Sequence, residues 1–175
     1  MAQTEPHDAP AHAVIVGVIP GQPARVLREA ARYARLLGSP LIVVHVDVTR
    51  FVTYEDPDGY VHSAPIDLDI ASGETQLREV TEAATAEFGA SGTDGLDWSV
   101  YQLVGDPALA IKHLGEQSQA RLIVVGTRRR GFGESIREFF TGSVAARLAH
   151  RQSRPILVVP LEQPVADDEE LWPQG

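Results

Sequence analysis

Short runs rich in β-branched residues, separated by stretches of helical periodicity, set the narrowest limit on what this chain can fold into. AVIVGVI at 13–19 and LIVVHVDV at 41–48 are apolar almost throughout, which suits strands covered on both faces. Between them, Val26, Leu27, Ala30, Ala34 and Leu37 recur at helical spacing in a segment that Pro23 opens and Gly38 closes. This is a strand-helix-strand unit. A second helix is predicted over 73–90, with Leu77, Val80, Ala84 and Phe88 on its apolar stripe, and a strand follows at 96–104. Asp106 and Pro107 start a third helix that runs to Gln117, with Leu109, Ile111 and Leu114 as its apolar side. A strand at 121–126, a helix at 143–150 and a strand at 155–160 complete the pattern.

Five strands alternating with helices predict an α/β fold: an open, doubly wound, mainly parallel sheet with right-handed crossovers. In such sheets a ligand sits beyond the carboxyl ends of the strands, where the winding reverses. The domain is read as 13–160, between a polar segment at 1–12 and an acidic tail at 161–175 whose only large anchor is Trp172. The connection at 49–72 exceeds ordinary loop length and reads as a lid, a partner surface or a plain excursion.

Charge narrows the partners. A formal net charge of -9 repels nucleic acid and acidic membrane surfaces, so neither is expected. The average hides a reversal, because eight of the fifteen basic residues lie between Arg121 and Arg154. With no cysteine, disulfides, thiol nucleophiles and cysteine metal sites are excluded. MAQTEPHDAPAH lacks the pattern of a signal peptide, and no apolar run approaches the roughly 18 residues of a membrane span. The cytoplasm is the expected compartment.

The basic segment opens with VVGTRRRGFGESIREFFTGSV, which leaves the carboxyl end of the fourth predicted strand. A phosphate needs several backbone N–H donors converging on one point, and glycines allow that approach. Gly126, Gly131, Gly133 and Gly142 are candidates, with Val125 and Thr127 flanking the first. Gly142, Ser143 and Val144 open a helix whose N-terminus suits an anion, although Ser143 also reads as an ordinary cap. Arg128, Arg129 and Arg130 either bond phosphate oxygens or form a solvated loop. Two familiar motifs fail. Phe132 and Gly133 stand where a P-loop needs Lys and Ser or Thr, and Ile136 breaks a dinucleotide fingerprint.

No catalytic or metal set is visible, so an enzyme is not expected. The histidines show neither zinc-type spacing nor an i, i+4 pair; His45 reads as a satisfied core histidine and His150 as a helix-end residue. Ser143 lies in no nucleophile elbow, and Asp56, Asp58, Asp67 and Asp69 read as turn formers. A nucleotide hydrolase is the weakest reading.

Taken together, VIVGV, LIVVHV, GDPALAI, LIVVGTRRRG and GSVAARLAHRQSRPILVVP resemble the universal stress protein family from Ala13 to Pro160. The resemblance implies a five-stranded parallel sheet ordered 3-2-1-4-5 and a homodimer paired through the last strand, here 155–160. Some members bind ATP or AMP through an aspartate after the first strand, a valine ending the second and a loop of the form G-x2-G-x9-G-[ST]. Carried over, these place Val46 near adenine, Val125 and Gly126 at the end of the fourth strand, and Gly142, Ser143 and Val144 around phosphate. The chain departs at two points. Ile19 stands where the aspartate would be, and Arg129 replaces the loop's second glycine in a loop three residues longer. Two readings therefore stay open: a stress-response module binding an adenine nucleotide or other phosphate ligand, and a dimeric member acting through protein contacts alone.

Overall fold

In the computed structural model the described residues are 9–55, 61–65, 71–89, 95–127 and 144–161. The elements, in chain order, are β1 (Val14–Gly17), α1 (Arg25–Leu37), β2 (Leu41–Asp47), β3 (Arg50–Glu55), β4 (Val61–Pro65), α2 (Ala71–Phe88), β5 (Trp98–Val104), α3 (Pro107–Gln117), β6 (Leu122–Gly126), α4 (Val144–Arg151) and β7 (Ile156–Val159).

Five of the strands form one sheet in the order β5-β2-β1-β6-β7, and every pairing is parallel. Without the hairpin this is the expected 3-2-1-4-5 order. The winding reverses between β1 and β6, which pair from Val14 with Leu122 to Gly17 with Val125. The β-branched runs are buried because both faces are covered: Val14, Val16, Leu41, Val43 and Val124 face the cluster that includes α1 and α2, through Val26, Leu27, Ala30, Val80, Ala84 and Phe88. The alternate residues Ile15, Ile42, Val44, Val46, Ile123 and Val125 meet Ala108, Ile111 and Leu114 of α3 and Leu148 of α4.

Local signals explain the helix ends. Gly38 adopts φ 58° and donates its N–H to Ala34 and Arg35, which closes α1 as a left-handed cap. Asp106 caps α3 by accepting from the Leu109 N–H at 3.0 Å, with Pro107 in the first turn. Two stripe residues are corrected. Leu37, the last residue of α1, is 39% exposed, while Ala31 in the middle of that helix takes a core place, and Leu109 is 38% exposed while Ala108 packs inward.

The long connection holds structure that the sequence reading lacked. β3 and β4 pair antiparallel as a separate two-stranded sheet, with a register irregularity between Val52 and Tyr54. The expected N-terminal segment up to residue 8, Asp56, Asp58, Asp67 and Asp69, and the tail beyond Leu161 lie outside the described residues.

Candidate functional site

Two polar groupings stand at the carboxyl ends of the strands. The first is at β2 and β5. Its members point to the α1 and α2 side because they alternate with Val44 and Val46 along β2. His45 is 3% exposed, with Nδ1 3.3 Å from the Val18 carbonyl oxygen and Nε2 3.1 Å from Oε1 of Gln76. Its reading as a satisfied core histidine holds. Asp47 is 1% exposed, and its Oδ1 accepts from the Thr49 N–H at 2.8 Å and the Thr49 hydroxyl at 2.6 Å. Gln102 donates to the Gly73 carbonyl at 3.3 Å and ties β5 to the first turns of α2.

The second grouping lies at the winding reversal. β1 ends at Gly17; Val18 still donates to the Val44 carbonyl at 2.9 Å, and the chain then turns through Ile19, Pro20 and Gly21, the last at φ 69°. Gln22 closes this turn twice: its backbone N–H donates to the Ile19 carbonyl at 3.2 Å, and its Oε1 accepts from the Ile19 N–H at 2.9 Å. Its Nε2 reaches over β6, where a methyl group built on Gly126 would lie 2.5 Å from it and 3.1 Å from Cδ1 of Leu161. Leu161 is held there by its N–H, which donates to Oγ1 of Thr127 at 2.9 Å, while Thr127 donates its own N–H to the Val159 carbonyl. A mostly apolar cleft lies on the α1 and α2 side of the turn after β1, lined by Leu27 of α1 and by Val80 and Ala83 of α2. Gln22 borders it, and Glu79 is the one charged residue in its lining.

The structure brings together part of the predicted site. Gly126 and Thr127 sit at the reversal. Val46 and Val125 are 8% and 4% exposed and belong, with the flanking Val144, to the apolar cluster under α3 and α4, so their side chains are core and do not line the cleft. Arg128, Arg129, Arg130, Gly131, Gly133, Gly142 and Ser143 lie outside the described residues. Ile19, which stands in the expected aspartate position, is 51% exposed. Sequence reasoning missed Gln22 and Leu161. The only signal for Gln22 was its place in the turn after the first strand, and Leu161 was counted with the tail.

Several cations of the basic segment are committed. Arg147 of α4 pairs with Asp106 at 2.7 Å, Arg121 donates to the Leu37 carbonyl at 2.7 Å, and Arg154 donates to the Ala120 carbonyl at 3.3 Å. Burial is the largest single influence on Asp106 and pushes its carboxyl up. The bonds from Arg147 and the Leu109 N–H, with the Arg147 charge, together outweigh it and hold the carboxyl below its usual range. This pair fixes the start of α3 to α4. Among the described residues no group of three or more His, Asp or Glu is placed to hold a metal ion, and no helix is long and apolar enough to cross a membrane.

The model of the universal stress protein family matches residues 11–160. The chain belongs to that family. Solved structures agree in fold. A universal stress protein from Archaeoglobus fulgidus superposes with a TM-score of 0.56 at 24% identity, over 86% of this chain and 94% of its own. A second Archaeoglobus fulgidus structure, in complex with dAMP, gives 0.53 at 24% identity over 84% and 96%. A universal stress protein in complex with cAMP gives 0.52 at 24% identity over 87% and 99%. Among curated proteins no sequence match was found.

Proposed function

We propose that this universal stress protein is a dimeric stress-response module that binds a phosphate ligand, an adenine nucleotide such as ATP or AMP, in the crevice beyond β1 and β6. The observation that carries the reading is the position of Gly126. It ends β6 at the winding reversal, where a ligand of such a sheet is sought, and Gln22, which lies over it, also borders an apolar cleft. The dAMP and cAMP complexes of fold relatives supply the ligand class. Arg128, Arg129 and Arg130 follow Gly126 in sequence and are the expected cations for the phosphates. The dimer is assigned to β7. Among the described residues it is an edge strand of the sheet, and its Val158 is 43% exposed, so it offers both backbone and apolar surface to a second copy.

A second reading, action through protein contacts without a nucleotide, is favoured by the exposed Ile19 and by the cover that Gln22 and Leu161 already give Gly126. Calorimetric titration of ATP and AMP into the full chain, with and without magnesium, separates the two. It is run beside a variant with Arg128, Arg129 and Arg130 changed to Ser. Saturable binding that the variant loses supports the phosphate seat. A wild type that gives no heat and no thermal shift at saturating nucleotide leaves the protein-contact reading. Sedimentation of the same preparation tests the dimer, which Val158→Lys converts to monomer.

A further inference from the structure

Gln22 presents an unusual division of labour within one carboxamide. The Ile19 backbone N–H can only donate, so the atom that faces it at 2.9 Å is the oxygen, and the amide orientation is fixed by chemistry. The NH2 group is therefore the end that lies over Gly126. Among the described residues none accepts a hydrogen bond from it. Gly126 has no Cβ for a reason visible here: its missing methyl is the room that the NH2 group occupies. The glycine thus admits a side chain of the protein itself, and whatever enters from above the reversal meets the carboxamide before it meets the backbone of β6.

We propose that Gln22 is the specificity-determining residue of this crevice, its NH2 group donating to an acceptor oxygen of the ligand above Gly126. The oxygen of the carboxamide is spent on the turn, so the residue offers the ligand donors only. The seat therefore takes an acceptor, such as a phosphoryl oxygen, and gives no partner to a ligand group that can only donate. The inference rests on the phosphate-ligand reading above and names the described side chain that recognises the phosphate.

The test uses inorganic phosphate, AMP and adenosine, titrated calorimetrically into the full-length wild type and into Q22E and Q22L. Q22E keeps an acceptor for the Ile19 N–H and so preserves the turn while removing the donor, which guards against a variant that fails merely because its loop is lost. The side-chain 15N–1H resonances of Gln22, identified by their absence from both variants, report the group directly. The expected result is that phosphate and AMP shift those resonances. AMP affinity should fall roughly tenfold in Q22L and further in Q22E, where a carboxylate faces the anion, with adenosine unchanged across the three proteins. AMP binding of wild-type strength in both variants, or an equal loss for AMP and adenosine, overturns the role of Gln22 and leaves the phosphate seat standing. A wild type that binds neither phosphate nor AMP overturns both.

Discussion

Gly73 and Gly126 both stand at the carboxyl end of the sheet, and each is close to a polar side-chain atom. A methyl on Gly73 would lie 2.6 Å from Oδ2 of Asp47, and one on Gly126 would lie 2.5 Å from Nε2 of Gln22. The surroundings differ. Asp47 is buried, sits on the fully buried strand β2, and has its other oxygen held by two donors of Thr49. Gln22 is half-buried at the end of a flexible side chain, with one bond to its own turn. The same short approach therefore marks a packed joint in one place and a movable polar group in the other. Closed networks of the first kind build the fold, and open donors of the second kind are where a ligand is sought.

The largest expected effect comes from filling the closed joint. Gly73→Ala drives a methyl into a carboxylate that cannot turn away without breaking its bonds to Thr49. Overpacking of this kind costs about 1–3 kcal/mol, while replacing a helical glycine by alanine returns at most about 1 kcal/mol. The clash wins, and a net loss of about 1–2 kcal/mol lowers the melting temperature by roughly 2–8 °C for a chain of this size. Nucleotide affinity should not change. A melting temperature equal to or above that of the wild type would show that the Asp47 joint is as free to move as Gln22.

The next effect is smaller and depends on pH. Asp106 joins α3 to α4 through its cap and its bond to Arg147, with side chains 31% and 21% exposed. Its carboxyl is held below the usual range, so the folded state binds that proton less readily than the unfolded chain. The stability it contributes is complete above the ordinary carboxylate value of about 4 and disappears as pH falls through the lower folded value. Asp106→Ala removes both bonds and should cost about 1 kcal/mol at neutral pH. Urea unfolding at pH 7 and pH 3 checks the sign: the gap between wild type and variant should narrow in acid. A gap that widens would mean that burial, which opposes ionisation, dominates Asp106.

The fold was legible because a parallel sheet covered on both faces leaves continuous β-branched runs, and Val14, Val16, Val43, Val44, Ile123 and Val124 are all fully buried. Asp106 and Gly38 announced helix ends through capping chemistry that is local in sequence. The hairpin was missed although Asp58-Gly59 lies between RFVTYE and VHSAP, a composition suited to a tight turn between strands. The site was only half legible. Gly126 and Thr127 could be placed because they end and follow a strand, whereas Gln22 and Leu161 reach Gly126 from 104 residues before it and 35 residues after it, and no local pattern encodes such a meeting. Asp47 is the reverse case, a carboxylate inside a buried strand whose satisfaction depends on a turn two residues on.

The smallest expected change in stability is that of Gly126→Ala, and it sharpens the comparison most. Gly126 has no left-handed backbone to strain a new side chain, and alanine in a strand is favoured over glycine by about 0.5 kcal/mol. Against this stand a contact of 3.1 Å with the end of Leu161 and the eviction of the Gln22 carboxamide, whose single bond to Ile19 is worth about 1 kcal/mol. These terms nearly cancel, so the melting temperature should stay within about 2 °C of the wild type. The Gln22 side-chain resonances should nevertheless move in the unliganded protein, and AMP should bind more weakly. A fall in melting temperature as large as that of Gly73→Ala would mean that Gln22 is locked over β6 as firmly as Asp47 is locked over α2. The two ends of the sheet would then be alike, both built for the fold, and the reversal between β1 and β6 would have no polar group free to greet a ligand.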